Sequence, residues 1–175
     1  MMIKKIFTLC FILLSSVLLA ISAERPRWVA QPIYVYIPEY GNMSDYMQQA
    51  FMEWEEKSGE LLRFKFVNKP SNSNIQVNFV DEVTNCNSPL AVGCARMQFR
   101  GGHYSNCQLD IAMQRKFGDG YRPIENIYGV MLHEIGHAIG LGHSQSADSI
   151  MYPYDLPTLQ YLTEEDIDLL YKKYH

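Results

Sequence analysis

The sequence predicts one α+β domain with layered strands and helices, and three observations carry that expectation. Runs rich in β-branched and aromatic residues, such as Ile33 to Ile37 and Ile75 to Val80, have the make-up of strands. Apolar residues recur at helical spacing in Met47, Ala50, Phe51 and Trp54, and again in Ile127, Met131, Ile135 and Ala138. With 47% hydrophobic and 19% charged residues, and no repeat, low-complexity tract or linker-like stretch, the composition is that of a folded unit rather than a disordered or fibrous chain.

The first segment stands apart from that unit. Lys4 and Lys5 precede an apolar run from Ile6 to Ile21, and Ala20, Ser22 and Ala23 offer a small-residue cleavage site. Residues 1–22 therefore read as a signal peptide, shorter and more weakly flanked than a membrane anchor. Residues 23–175 read as a single domain, enough chain for one buried core. Export to the periplasm or the extracellular space is expected, as a monomer with no stable membrane association. Removing two lysines takes the 15 Lys+Arg to 13, so the formal charge moves from −4 to −6. An acidic chain without a cationic stripe has little to offer phosphates, which sets nucleic acid aside.

Each further element follows from local chemistry. The strand from Ile33 ends at Pro38. Ser44 can cap the first helix, and Gly59 stands beyond its last turn as a stop. Leu62 to Val67 and Ile75 to Val80 alternate in polarity as half-buried strands do. Between Ala91 and Met113 two extended segments flank Gly101 and Gly102, a pair suited to a tight hairpin turn. A Gly-rich connection from Phe117 to Gly120 leads to a helix from about Asn126 to Gly140. The last helix starts at Thr163, with Asp166 three residues on as its capping-box partner.

Cys10 lies in the signal, so Cys86, Cys94 and Cys107 remain where disulfides form. With a two-glycine loop Arg96 faces Cys107, and Cys94 lies diagonally across from it. A one-residue bulge could bring Cys94 opposite Cys107, whereas Cys86 with Cys94 closes a short loop through Pro89. Both pairings stay open.

The chemistry is concentrated in His133, Glu134, Ile135, Gly136, His137, Ala138, Ile139, Gly140, Leu141, Gly142 and His143, which fit HExxHxxGxxH at every fixed position. On a helix His133 and His137 project from one face and can share a metal ion. Gly140 can turn the chain sharply and bring His143 to the same ion. Three nitrogen ligands leave tetrahedral zinc one open position, and Glu134 borders it as a candidate general base. Peptide hydrolysis with Zn2+ is the chemistry this set suits. His103 and His175, the other two histidines, read as solvated.

With Ser149, Ile150, Met151, Tyr152 and Pro153 following, the motif resembles the zinc helix and Met-turn of metzincin metalloendopeptidases. Ser144 after the third histidine and the run Ile150 to Pro153 resemble the matrixins, the matrix metalloproteinase group. Ala50, Phe51 and Trp54 with Leu62, Phe64 and Phe66, and later Leu162, Thr163, Asp166 and Ile167, extend the likeness over most of the domain. The resemblance implies a five-stranded twisted mixed sheet with one antiparallel edge strand, three helices, and a cleft across the zinc. It also implies that Met151 forms an apolar floor under the imidazoles without ligating. Protein or peptide substrates would pair with the strand around Cys94 to Phe99. Specificity would come from a pocket involving Ala95, Val130, Pro153 and Tyr154, with an apolar residue favoured after the scissile bond.

Departures from the family pattern count as well. A second, structural zinc needs three further histidines, and only His103 is at hand. For Ca2+ the candidates are Asp110 and Asp119, whose plainer reading is that of solvated loop carboxylates. Little room for a folded prodomain separates the signal from the first strand. Pro153 stands where astacins and serralysins carry a zinc-binding tyrosine, and Asp155 stands where matrixins tend to have tyrosine in the pocket wall. The rival reading is a catalytically silent relative that binds zinc or peptide; such a protein has no physical need of Glu134.

Overall fold

A computed structural model describes residues 26–84, 86, 88–154 and 159–175. The signal segment and Asp155 lie outside these residues. The architecture is the expected α+β arrangement: a five-stranded mixed sheet, a separate two-stranded hairpin and three helices. The main sheet contains β1 (Ile33–Tyr36), β2 (Phe64–Val67), β3 (Ile75–Val80), β4 (Gly93–Arg100) and β5 (His103–Ala112), in the order β2-β1-β3-β5-β4. All neighbours are parallel except β4 and β5, so β4 is the antiparallel edge strand.

One face of the sheet is apolar and the other polar, as the period of two along each strand requires. Ile33 and Val35, Ile75 and Val77, and Cys107, Leu109 and Ile111 are buried on the helix side. On the opposite side Gln76, Asn78, Gln108 and Asp110 form a hydrogen-bonded ladder, with Asn78 Nδ2 donating to Asp110 at 2.8 Å. Arg96 closes it with a 2.6 Å ion pair to Asp110. Asp110 is therefore a buried strand residue with two partners, not the solvated loop carboxylate expected.

Helix α1 (Asn42–Lys57) lays Met47, Ala50, Phe51 and Trp54 against this core, with Phe51 edge-on to Phe64 at 5.0 Å. Gly59 has φ +57° and ends the helix as expected. Ser44 does not cap it: its Oγ accepts from Tyr40 N at 2.6 Å and donates to Pro38 O at 2.9 Å, bracing the incoming turn, while Gly41 holds the cap position. Helix α2 (Ile127–Ala138) is capped by Asn126, whose Oδ1 accepts from Gly129 N at 3.1 Å. Helix α3 (Glu164–Tyr174) has the full capping box of Thr163 and Asp166.

A register shift between Gln98 and Phe99 pairs Met97, not Arg96, with Cys107, and moves Cys94 to face Asp110. The bulge therefore carries Cys94 away from Cys107. The disulfide is Cys86–Cys94, with Cα atoms 6.1 Å apart, and Cys107 is a buried free thiol. The Gly-rich connection is itself a hairpin, β6 (Gln114–Phe117) with β7 (Gly120–Pro123), turned at Gly118 with φ +60°. It gave no strand signal because β7 is exposed along its whole length and so has no apolar alternation. His103 begins β5 with its Nδ1 buried and without a partner among the described residues, so it is not simply solvated.

Candidate active site

The site is built on α2, and the helix is held by long-range bonds to its carbonyls. Trp54 Nε1 donates to Leu132 O at 3.0 Å, Trp28 Nε1 to Ala138 O at 2.8 Å, and Tyr174 Oη to Ile139 O at 3.0 Å. His133 and His137, one turn apart, therefore stand on a rigid rod. The rod ends in a Schellman turn: Leu141 N donates to Gly136 O and Gly140 N to His137 O, both at 2.9 Å, with Gly140 at φ +100°. This turn redirects the chain so that His143 meets the other two. Ring centroids lie 4.6, 4.8 and 5.4 Å apart, and one nitrogen from each histidine falls within 4.8 Å of the others.

The supporting bonds decide which nitrogen faces inward. His133 Nδ1 lies 2.7 Å from Ile150 O and His137 Nδ1 2.9 Å from Leu141 O. A carbonyl can only accept, so both Nδ1 atoms carry the proton and both Nε2 atoms present lone pairs. His137 Nε2 and His143 Nε2 are 3.2 Å apart. Two nitrogens bound at about 2.0–2.1 Å to one tetrahedral ion would be about 3.3 Å apart, so the donor set fits zinc. Burial pushes the His133 imidazole down to about 4, helped by the nearby His137 and His143 rings. His137 is lowered for the same leading reason, then by His143. Neutral imidazoles are the form a metal binds.

The Ile150 carbonyl is itself positioned. Asp166, fully buried at the start of α3, accepts from Ser149 Oγ at 2.5 Å and Ile150 N at 3.1 Å, as well as from Thr163 N and Oγ1, both at 2.8 Å. One carboxylate thus caps the last helix and fixes the turn that orients His133. Met151, the next residue, is fully buried with its sulfur against Gly136; a Cβ on Gly136 would lie 2.2 Å from it. Asp166 was legible in the sequence as a cap; its grip on the 149–151 turn was not.

Glu134 is 6% exposed and packs against β4 at Gly93, with the Ala95 backbone N–H near its carboxylate. Burial pushes its pKa up to about 8, with the Ala95 backbone N–H acting in the opposite direction. His133, Glu134, His137 and His143 line a cleft of about 890 Å³ together with the four residues expected at a substrate pocket: Ala95, Val130, Pro153 and Tyr154. Val130 is buried at 6%, while Tyr154 is 70% exposed at the rim. The cleft extends along β4, past Gly93 to the disulfide-bonded segment carrying Cys86, Ser88 and Leu90. At the other end Tyr104 leans on Gly140, whose added Cβ would meet its ring at 2.7 Å.

Such a helix, its third histidine delivered by a glycine turn, and a buried methionine below it define a metzincin-type metal site on an α+β fold. The matrixin family profile matches residues 36–175, and the chain belongs to that family of zinc metalloendopeptidases. An interstitial collagenase of Oryctolagus cuniculus is 27% identical over 153 residues, covering 82% of this chain and 32% of the collagenase. Matrix metalloproteinase-25 of Homo sapiens is 31% identical over 115 residues, 62% of this chain and 20% of the relative. The hatching enzyme of Paracentrotus lividus is 29% identical over 119 residues, 65% and 19% respectively. The chain thus spans a third or less of these relatives' lengths.

Proposed function

We propose that this chain is a zinc-dependent endopeptidase that hydrolyses peptide bonds in proteins, with Glu134 as general base. The observation that carries the reading is the convergence of His133, His137 and His143 beside Glu134 on the wall of an open cleft. A zinc ion held by the three Nε2 atoms would lower the pKa of a water in its open position and polarise a carbonyl. Glu134 then takes the proton of the attacking water and delivers it to the departing amine. Met151 serves as a non-ligating floor beneath the imidazoles.

An extended substrate would lie along β4, the sheet edge, with main-chain hydrogen bonds supplying affinity. The residue after the scissile bond would enter the pocket by Val130 and Leu159, both apolar, with Ala95, Pro153 and Tyr154 around it. An apolar preference there follows. Residues 1–22 act as a secretion signal, and 23–175 as one catalytic domain. No helix among the described residues is long and apolar enough to cross a membrane.

The test is digestion of casein and of a fluorogenic peptide library by the purified protein, with chelator, with zinc restored, and with Glu134→Gln. Activity lost to the chelator, recovered with zinc and absent in the variant at unchanged zinc content supports the proposal. A wild-type protein that holds zinc yet cleaves nothing supports the silent relative instead. A library in which charged residues dominate after the cut overturns the pocket assignment.

A further inference from the structure

Gly93 opens β4, where it pairs with Ile111 of β5, and the neighbouring Val92 carbonyl accepts from Ala112 N at 2.9 Å. Its position is therefore fixed by the sheet. It is buried, and its φ lies outside the left-handed region that favours glycine, so the backbone alone would admit any L-residue. What forbids a side chain is Glu134. A Cβ at position 93 would lie 2.3 Å from Glu134 Cγ, 2.5 Å from Cδ and 2.5 Å from Oε1. Non-bonded carbons settle at about 3.5–4.0 Å. The clash begins at Cγ, close to the helix backbone, so a shift of the carboxylate tip does not relieve it; the whole side chain has to swing. Swinging it carries the carboxylate away from the Ala95 N–H, two residues along the same strand face.

We propose that Gly93 is a positioning residue for Glu134: the missing side chain on the edge strand is the slot that holds the carboxylate beside the metal-binding histidines. Helix α2, anchored by Trp28, Trp54 and Tyr174, and strand β4, anchored by β5, approach each other at this slot. Gly93 closes it on one side and the Ala95 amide on the other. The inference rests on the proposed role of Glu134 in hydrolysis, while the packing it describes does not.

The experiment combines Gly93→Ala with Glu134→Ala in the zinc-loaded protein and uses two readouts. In thermal unfolding, Gly93→Ala should lower Tm when Glu134 is present and cost little in the Glu134→Ala background, where the slot is empty. In hydrolysis of a fluorogenic peptide, Gly93→Ala should lose about 10–100-fold in kcat with KM and zinc content near those of the wild type, as about 1 Å of misplacement predicts. Gly120→Ala, whose added Cβ meets nothing closer than 4.0 Å, serves as the control and should leave both unchanged. Should Gly93→Ala not fold while the double variant does, the steric claim is upheld. Equal Tm losses in both backgrounds, or an undiminished kcat, overturn the proposal. A wild-type protein without activity overturns the hydrolytic reading and the catalytic half of this inference, whereas the Tm cycle still decides the packing half.

Discussion

Asp166 joins the last helix to the turn that orients His133, and replacing it with alanine separates those two duties. Its carboxylate accepts four hydrogen bonds, two from Thr163 at the cap and two from Ser149 and Ile150. Loss of a cap costs about 1 kcal/mol. Each of the two buried donors left without an acceptor, Ser149 Oγ and Ile150 N, costs about 1–3 kcal/mol, so Asp166→Ala should lose about 3–7 kcal/mol in total. For a domain of this size that lowers Tm by about 6–28 °C. The Ile150 carbonyl, no longer held, orients His133 less well, and zinc affinity should fall about 10–100-fold, as when a partner of a ligating histidine is removed. Thr163→Ala takes away a capping hydroxyl and leaves the bonds to Ser149 and Ile150 in place. It should cost about 1 kcal/mol and leave zinc affinity alone. Calorimetry gives the first quantity and chelator competition the second. Equal stability losses in the two variants, with zinc affinity the same in both, would show that Asp166 is only a helix cap.

The metal-free protein should be most stable near pH 6.5. Below that, an unfolded chain protonates His133 and His137 while the folded chain keeps them neutral, so stability falls as pH drops toward 4. Over the whole range from 4.5 to about 8 the folded state retains a proton on Glu134 that the unfolded state has released; this partly offsets the histidine effect below pH 6.5 and acts alone above it, so stability falls as pH rises toward 8. Zinc should flatten the alkaline limb, because a cation favours the carboxylate; melts with and without zinc at pH 5, 6.5 and 8 would show neither limb if the burial argument is wrong. Gly136→Ala should destabilise by about 1–3 kcal/mol, because its Cβ would meet Met151 Sδ at 2.2 Å and Trp54 at 3.3 Å. Helix propensity alone predicts the opposite sign, a gain of about 1 kcal/mol, so denaturant titration decides between them. Reducing Cys86–Cys94 opens a loop of nine residues, a loss of about 2.6 kcal/mol from chain entropy. The freed segment walls the cleft but β5 still holds Gly93, so KM should rise more than kcat falls; steady-state kinetics with a dithiol reductant measure both. Cys107, buried with its thiol pushed up to about 12, should resist alkylation until the chain unfolds.

The legibility of this molecule divides by the range of the forces involved. Ile75–Val80, the stripe Met47, Ala50, Phe51 and Trp54, and the Thr163 capping box are local patterns, and the structure has them where the sequence puts them. The three histidines are also local: a helical turn sets the first pair, and the left-handed Gly140 brings in the third. What stayed hidden depends on other elements. Ser44 could cap in isolation, yet the chain from Pro38 to Tyr40 folds back and takes its hydroxyl. The disulfide partner of Cys94 was undecidable because a bulge at Gln98/Phe99, invisible in composition, shifts the register by one. Asp110 looked like a surface acid until the sheet placed Arg96 and Asn78 beside it. Gly93 gave no signal at all, since its need for hydrogen in place of Cβ arises from a helix 41 residues away.

Each chemically distinct group is oriented by a different part of the fold. His133 answers to the 149–151 turn and through it to Asp166 of α3; His137 answers to the Schellman turn of its own helix. Glu134 answers to the edge strand. A ligand set whose second partners are backbone carbonyls is hard to perturb by single side-chain changes, because the carbonyl persists whatever residue carries it. The vulnerable points are therefore those where a side chain or its absence is the support: Asp166, Gly136 and Gly93. Substitutions at the first two should weaken metal binding and stability together. A change at Gly93 should spare the metal and strike the carboxylate, so the ratio of zinc content to turnover across these three variants separates the framework of the site from the Glu134 carboxylate.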